Sequence, residues 1–183
     1  MIGTGKIGCV FAKIMVGFGC EVIGYDKYPS EAFTALGTHY AEPGEIGKKA
    51  DIISLHCPLT PETYHIINAE TLARAKRGAL LINTSRGGLI DTEAAIEALK
   101  SGQLGGLAID VYEQEADLFF RDLSSTIIAD DTFQRLLSFP NVIVTGHQAF
   151  FTEEAITTIC ETTIASATEF ESGQALSNEI KAS

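Results

Sequence analysis

Apolar positions along the chain follow two alternating rhythms. Ile7, Val10, Phe11, Ile14, Met15 and Phe18 recur at helical spacing and predict an amphipathic helix with one continuous apolar face. Between helical segments lie apolar runs of strand length, at residues 21–25, 51–55, 79–83, 107–109 and 142–144. The run 79–83 is nearly all apolar, as a strand covered on both faces requires. Residues 92–101 predict a helix closed by Gly102 in the position that a left-handed cap prefers. Thr152 is placed as an N-cap with Glu153 and Glu154 in the first turn, where the helix dipole favours acid. That helix runs to about Ser172, with Ile156, Ile159, Ile164, Ala167 and Phe170 as its apolar positions. Strand and helix in repeated alternation predict an α/β fold built on a doubly wound parallel sheet. One connection, 113–140, is long and mostly polar, with Phe119-Phe120 and a short helical piece at 132–137. Loops of that length inside a domain are usually functional or interface elements.

Composition narrows the function classes. The 183 residues carry 13 Lys+Arg against 24 Asp+Glu, a formal net charge of −11. Such an excess of acid repels polyanions, which argues against nucleic acid and anionic membrane surfaces as partners. No run of apolar residues is long enough for a transmembrane helix, and Met1 opens neither a signal nor a transit peptide. The cysteines, Cys9, Cys20, Cys57 and Cys160, show no CxxC spacing; they read as reduced thiols of a cytoplasmic protein, with no metal site.

The beginning of the chain is unusual for this architecture. In a doubly wound nucleotide domain the strand before the glycine-rich turn lies mid-sheet. Here it is cut to Met1-Ile2, against a usual five or six residues. The sequence therefore predicts a truncated first strand, with Met1 an internal residue of a longer protein.

Gly3-Thr4-Gly5-Lys6-Ile7-Gly8 matches GxGxxG and opens the first helix. The first glycine makes the turn, the second lets backbone approach a pyrophosphate, and the third lets helix and strand pack closely. The next strand ends at Asp26, where a carboxylate can accept from ribose hydroxyls and repel a 2′-phosphate. The pair predicts NAD rather than NADP.

Three further groups follow strand ends. Arg86, in Asn83-Thr84-Ser85-Arg86-Gly87-Gly88, is a planar cationic fork suited to a substrate carboxylate. Glu115 follows the strand that ends near Asp110, and His147 follows the strand at 142–144, where imidazole suits proton exchange at neutral pH. Singly these read as a surface pair, a solvated loop acid and a core histidine. All three at the carboxyl edge of one sheet point to a site.

Taken together, GTGKIG (3–8), Asp26, LHCPLT (55–60), NTSRGGLID (83–91), AIDVYEQE (108–115) and GHQAFFTEEA (146–155) resemble the D-2-hydroxyacid dehydrogenase family, in the family's order and across essentially the whole chain. Leu118-Phe119-Phe120 with Asp122, Asp130-Asp131, Arg135-Leu136, Phe139 and Gly146 before His147 resembles its D-lactate dehydrogenase branch. The resemblance implies Arg86 as the carboxylate-binding arginine, His147 as the acid-base histidine and Glu115 as the glutamate that holds it. It implies cofactor contacts at Lys6, Ile7, Asp26, Cys57, Pro58, Thr63, Thr84, Ser85 and Asp110, beside Gly3, Gly5 and Gly8 of the turn. Formate-oxidising members carry glutamine where this chain has Glu115, which speaks against that activity.

The expected reaction is reversible hydride transfer between NAD(H) and a small 2-oxo or 2-hydroxy acid, with pyruvate and D-lactate first. Residues 1–173 are expected to form the dinucleotide-binding domain and 174–183 a tail leading back toward a substrate domain largely outside this chain. Without that second wall the chain alone should be weakly active or inactive, since water exclusion and orientation would fail. The family's common dimeric state makes a homodimer the implied assembly, and the apolar stripe after Gly5 suits either core or interface. Two alternatives stay open: a different 2-oxo acid, and a non-catalytic NAD(H)-binding module on the same fold.

Overall fold

The computed structural model describes residues 1–120, 122–123 and 125–181. It divides into two compact units, Met1–His147 and Gln148–Ser183. The sequence places the end of the dinucleotide-binding domain at 173, whereas the division between compact units falls after His147. Ala182 and Ser183 of the expected tail lie outside the described residues.

In the first unit, strands β1 (Ile23–Gly24), β2 (His39–Tyr40), β3 (Ile52–Leu55), β4 (Ala79–Asn83), β5 (Leu104–Ile109) and β6 (Val142–Val144) are all parallel where they pair. β3, β4, β5 and β6 form one sheet in that order, and β1 pairs with β2. Ile2 joins the two, bridging Tyr25 on one side and Leu55 on the other. The short first strand thus sits mid-sheet, at the position a doubly wound nucleotide domain assigns to it. On the amino side of Ile2, β1 and β3 flank a cavity of about 570 Å³ whose walls include Val22, Ile23, Ile46, Asp51 and Ile52.

The core follows from the strand pattern. Leu55, Leu81 and Leu104 are fully buried among Leu89, Ile96 and Leu136. Burial of each such side chain contributes roughly 1.5–3 kcal/mol. A smaller cluster, Met1, Ala12 and Phe33, packs beneath the first helix. β5 begins three residues earlier than its apolar run suggests, because Gly105 and Gly106 hide the strand. A Cβ on Gly105 would lie 2.3 Å from the Gly78 carbonyl oxygen.

The helices are α1 (Lys6–Gly17), α2 (Glu31–Thr34), α3 (Pro43–Lys49), α4 (Ala69–Arg74), α5 (Thr92–Lys100) and α6 (Asp131–Leu137), with α7 (Glu153–Glu171) in the second unit. In α1 the apolar stripe is not core, the first of its two open readings. Ile7, Val10, Ile14 and Phe18 are 73%, 61%, 51% and 79% exposed, while Gly8 and Ala12 turn inward. Close approach explains it: a Cβ on Gly8 would lie 2.3 Å from the Gly3 carbonyl oxygen, so only small residues fit beneath the helix. α2, α3 and α4 are too short to show a period in the sequence, and β2 has only two residues.

In the long connection, Phe133 and Leu136 of α6 are core residues, and Leu118, Phe119, Ile128 and Phe139 pack against the same cluster. Its polar composition conceals these anchors. In the second unit, the Thr152 hydroxyl accepts from the Ala155 N–H at 3.2 Å, the cap that the sequence predicts. No residue of α7 is buried. The tail folds back on it, with Ser177 donating through N–H and hydroxyl to the Glu169 carboxylate at 2.8 Å. Among the described residues no helix is long and apolar enough to cross a membrane.

Candidate active site

Strand register determines what can meet at one edge. Tyr25, Ile2, Leu55, Asn83, Ile109 and Val144 form a single row across the sheet, each paired with the next. The residues that follow them, Asp26, Gly3, His56, Thr84, Asp110 and Thr145, therefore leave the sheet side by side. Every candidate residue lies on one of these exits or within a few residues of it.

At one end, the glycine turn is shaped by contact. Gly3 has φ 95°, and a Cβ there would lie 2.4 Å from the Cys57 nitrogen. Gly5 differs: nothing lies within 4 Å of its Cβ direction. Gly5 caps α1 with no side-chain bond, and no acidic residue occupies the first turn that Lys6, Ile7 and Gly8 begin. The positive end of the helix is thus left to an anion. The half-buried Asp26 accepts from the Thr4 N–H at 2.7 Å and from the Tyr28 N–H at 2.9 Å, which fixes its carboxylate beside the turn. Open space over Gly5, an uncompensated helix terminus and an adjacent carboxylate fit a dinucleotide with free ribose hydroxyls.

The next loops are held by their own side chains. The Ser85 hydroxyl donates to the Cys57 carbonyl at 2.6 Å, and the Thr63 hydroxyl donates to the Pro58 carbonyl at 2.7 Å. Ser85 and Thr63 therefore staple backbone, and Thr84 is exposed. Burial pushes the Cys57 thiol up to about 11; the Asp26 charge adds to this and a backbone hydrogen bond opposes it. Cys57 stays a neutral thiol. Its neighbour His56, packed on Phe11 and bonded to the Ser54 hydroxyl at 2.9 Å, is pushed down to about 4, chiefly by burial.

Arg86 is exposed, and its guanidinium donates to the Ser85 carbonyl at 2.7 Å. Among the described residues it forms no ion pair. Asn83, fully buried, shapes this loop: its amide donates to the Arg86 carbonyl at 2.9 Å and its oxygen accepts from the Ser85 N–H at 3.0 Å. The sequence reading missed Asn83 as a positioning group. A polar residue closing an otherwise apolar strand is the signal, since buried amides must be satisfied.

At the far end, Asp110 is buried, accepts from the Thr145 hydroxyl, and accepts the His147 N–H on its carbonyl at 2.7 Å. His147 has φ 55°, and its Nδ1 lies 2.9 Å from the Glu115 Oε1. The second oxygen of Glu115 accepts from the Tyr112 N–H at 3.0 Å. The Phe120 ring packs against the imidazole, 5.9 Å between centroids. Tyr112 donates to Asp130 at 2.9 Å, and burial, reinforced by that bond, drives its phenol far above the usual range. Thr145, Tyr112 and Asp130 are not among the sequence candidates; the fold brings Thr145 to Asp110 and Asp130 to Tyr112.

Known proteins give this edge a family. Residues 1–149 match the model for the D-isomer specific 2-hydroxyacid dehydrogenase, NAD binding domain. The chain is 56% identical over 171 residues to 2-hydroxyacid dehydrogenase homolog 2 of Schizosaccharomyces pombe, covering 93% of this chain and 52% of that protein. It is 49% identical over 180 residues to the D-lactate dehydrogenase of Escherichia coli, covering 98% of this chain and 55% of that protein. Among solved structures, the D-lactate dehydrogenase of Aquifex aeolicus complexed with NAD and lactic acid is similar, with a TM-score of 0.87 and 36% identity over 94% of this chain and 52% of that one. The chain thus spans about half the length of the relatives it matches. It belongs to the D-isomer-specific 2-hydroxyacid dehydrogenases and forms their NAD-binding domain.

Proposed function

We propose that the protein of which this chain forms the cofactor half reduces pyruvate to D-lactate, reversibly. The bond between His147 Nδ1 and Glu115, at the edge where the glycine turn also emerges, is the observation that carries this reading. NADH held along this edge would supply a hydride to C2 of the 2-oxo acid.

The chain's own groups do the rest. Lys6 and Ile7, with Gly3, Gly5 and Gly8, offer backbone at the helix terminus for the diphosphate, and Asp26 accepts from ribose. Cys57, Pro58, Thr63, Thr84, Ser85 and Asp110 would shape the trough across the sheet edge. Arg86 takes the substrate carboxylate in its fork and polarises the keto oxygen. With Nδ1 committed to Glu115, His147 gives its Nε2 proton to that oxygen as the hydride arrives, and in reverse removes the hydroxyl proton. Glu115 fixes the ring and balances the charge it carries when protonated. The same reading takes the enzyme as a cytoplasmic homodimer, fermentative in role, with exposed Ile7, Val10, Ile14 and Phe18 offering an apolar face.

The test is NADH oxidation by the chain extended at its N-terminus, with pyruvate, 2-oxobutyrate and hydroxypyruvate side by side. Pyruvate should give the highest kcat/KM, and the chain as it stands little or no turnover. A preference for hydroxypyruvate would move the substrate within the family. NADH binding without turnover of any of the three would make the protein a binding module.

A further inference from the structure

His147 has a counterpart. Among the described residues, the non-glycine positions with positive φ are His65, at 50°, and His147, at 55°. Each histidine is bonded through a ring nitrogen to a glutamate of the same turn. His147 Nδ1 meets Glu115, and His65 Nε2 meets Glu113 at 2.7 Å. The left-handed region is unfavourable for residues with a Cβ and persists where surroundings over-determine it.

Glu113 is surrounded by donors. Its Oε2 accepts from the Thr92 N–H at 3.1 Å and the Thr92 hydroxyl at 2.6 Å, while Oε1 faces His65. Thr92 opens α5, where a carboxylate is favoured by the helix dipole. His65 is itself held, its N–H donating to the Gly88 carbonyl at 2.9 Å and its carbonyl accepting from the Asn68 amide at 2.9 Å. Side-chain exposure is 24% for Glu113 and 28% for His65, so the pair is partly screened from water. Three segments are thereby joined: the one after β3, the start of α5 after β4, and the turn after β5.

The joint touches both ends of the expected chemistry. Gly87, next to Arg86, lies flat on the Tyr112–Glu113 peptide: a Cβ on it would come 2.1 Å from the Tyr112 carbonyl carbon. Two residues beyond Glu113, Glu115 holds the imidazole. Resting on the function proposed above, we propose that Glu113, clamped by His65 and Thr92, is a positioning residue that sets the turn after β5 so that Glu115 meets His147 while Arg86 stays in register. In this role the clamp acts through its neighbours.

The experiment uses the full-length enzyme with Glu113→Ala, Glu113→Gln and His65→Asn, asparagine being tolerant of positive φ. Two readouts are taken: steady-state pyruvate reduction with NADH affinity, and the downfield proton resonance of the His147 Nδ1–H in the NADH-bound enzyme. Glu113→Ala should lower kcat by roughly 10- to 100-fold, the scale of a small misplacement remote from the chemistry. NADH Kd should stay within about twofold, since the glycine turn is untouched. The His147 resonance should move upfield as its bond to Glu115 loosens. Glu113→Gln, whose side-chain oxygen still accepts from Thr92, should recover most of both. A folded Glu113→Ala with wild-type kcat and an unmoved resonance overturns the proposal. If that variant does not fold, an unmoved resonance in His65→Asn overturns it. If the wild-type enzyme reduces no 2-oxo acid, the proposed function falls, and the resonance alone still decides this point.

Discussion

The two ends of the sheet edge are built differently. Around Gly3 and Gly5 the chain presents backbone: a turn with no room for side chains on one flank, open space on the other, and a helix terminus with no cap of its own. Around His147 it presents side chains already engaged in pairs, His147 with Glu115 and Thr145 with Asp110. A cofactor that brings its own charge needs a bare cradle. A group that must hold and release a proton at one atom needs its other atom fixed in advance. The first kind of site is made by leaving residues out and the second by putting them in.

Substitutions can separate the two ends. In the full-length enzyme His147→Ala should lower kcat for pyruvate reduction by about 10²- to 10⁴-fold, with NADH still bound; an equal loss of NADH affinity would mean the ends are not independent. Gly3→Ala should do the reverse. Its methyl enters the Cys57 backbone at 2.4 Å and its φ of 95° disfavours any Cβ. A loss of roughly 1–3 kcal/mol in urea unfolding, with weakened NADH binding in a fluorescence titration, is expected. Asn83→Ala should cost about 1–3 kcal/mol by orphaning the Ser85 N–H and the Arg86 carbonyl, and should raise the KM for pyruvate more than the Kd for NADH.

The smallest effect concerns His56, between the two ends. Its folded value near 4 lies below the ordinary 6.5, so between those values the unfolded chain binds the extra proton. Stability therefore falls as pH drops from about 6.5 toward 4. Urea midpoints across that window should flatten in His56→Gln; an unchanged slope would assign the acid sensitivity to other groups.

The same contrast governs what the sequence discloses. Gly3, Gly5 and Gly8 followed by Asp26 are legible because glycine marks backbone geometry directly. β4 is legible to the residue, since an apolar run from Ala79 to Ile82 is closed by the single polar Asn83. α1 is legible as a helix and misleading as a face, because spacing records which positions are apolar and not which flank can come close to a sheet. The side-chain network is least visible. Glu113 stands two residues before Glu115, yet nothing local tells that it reaches His65, 48 residues away, or Thr92, 21 away. Tyr112 and Asp130 find each other only because α6 returns to the core through Phe133 and Leu136.

Cys57 shows one practical outcome of the close packing beneath Gly3. A thiol held neutral and buried is a poor nucleophile. Cys20 and Cys160, in contrast, are exposed. A maleimide dye at neutral pH should label those two and spare Cys57. Reporters can thus be attached at either surface site while the floor of the cofactor trough stays chemically untouched.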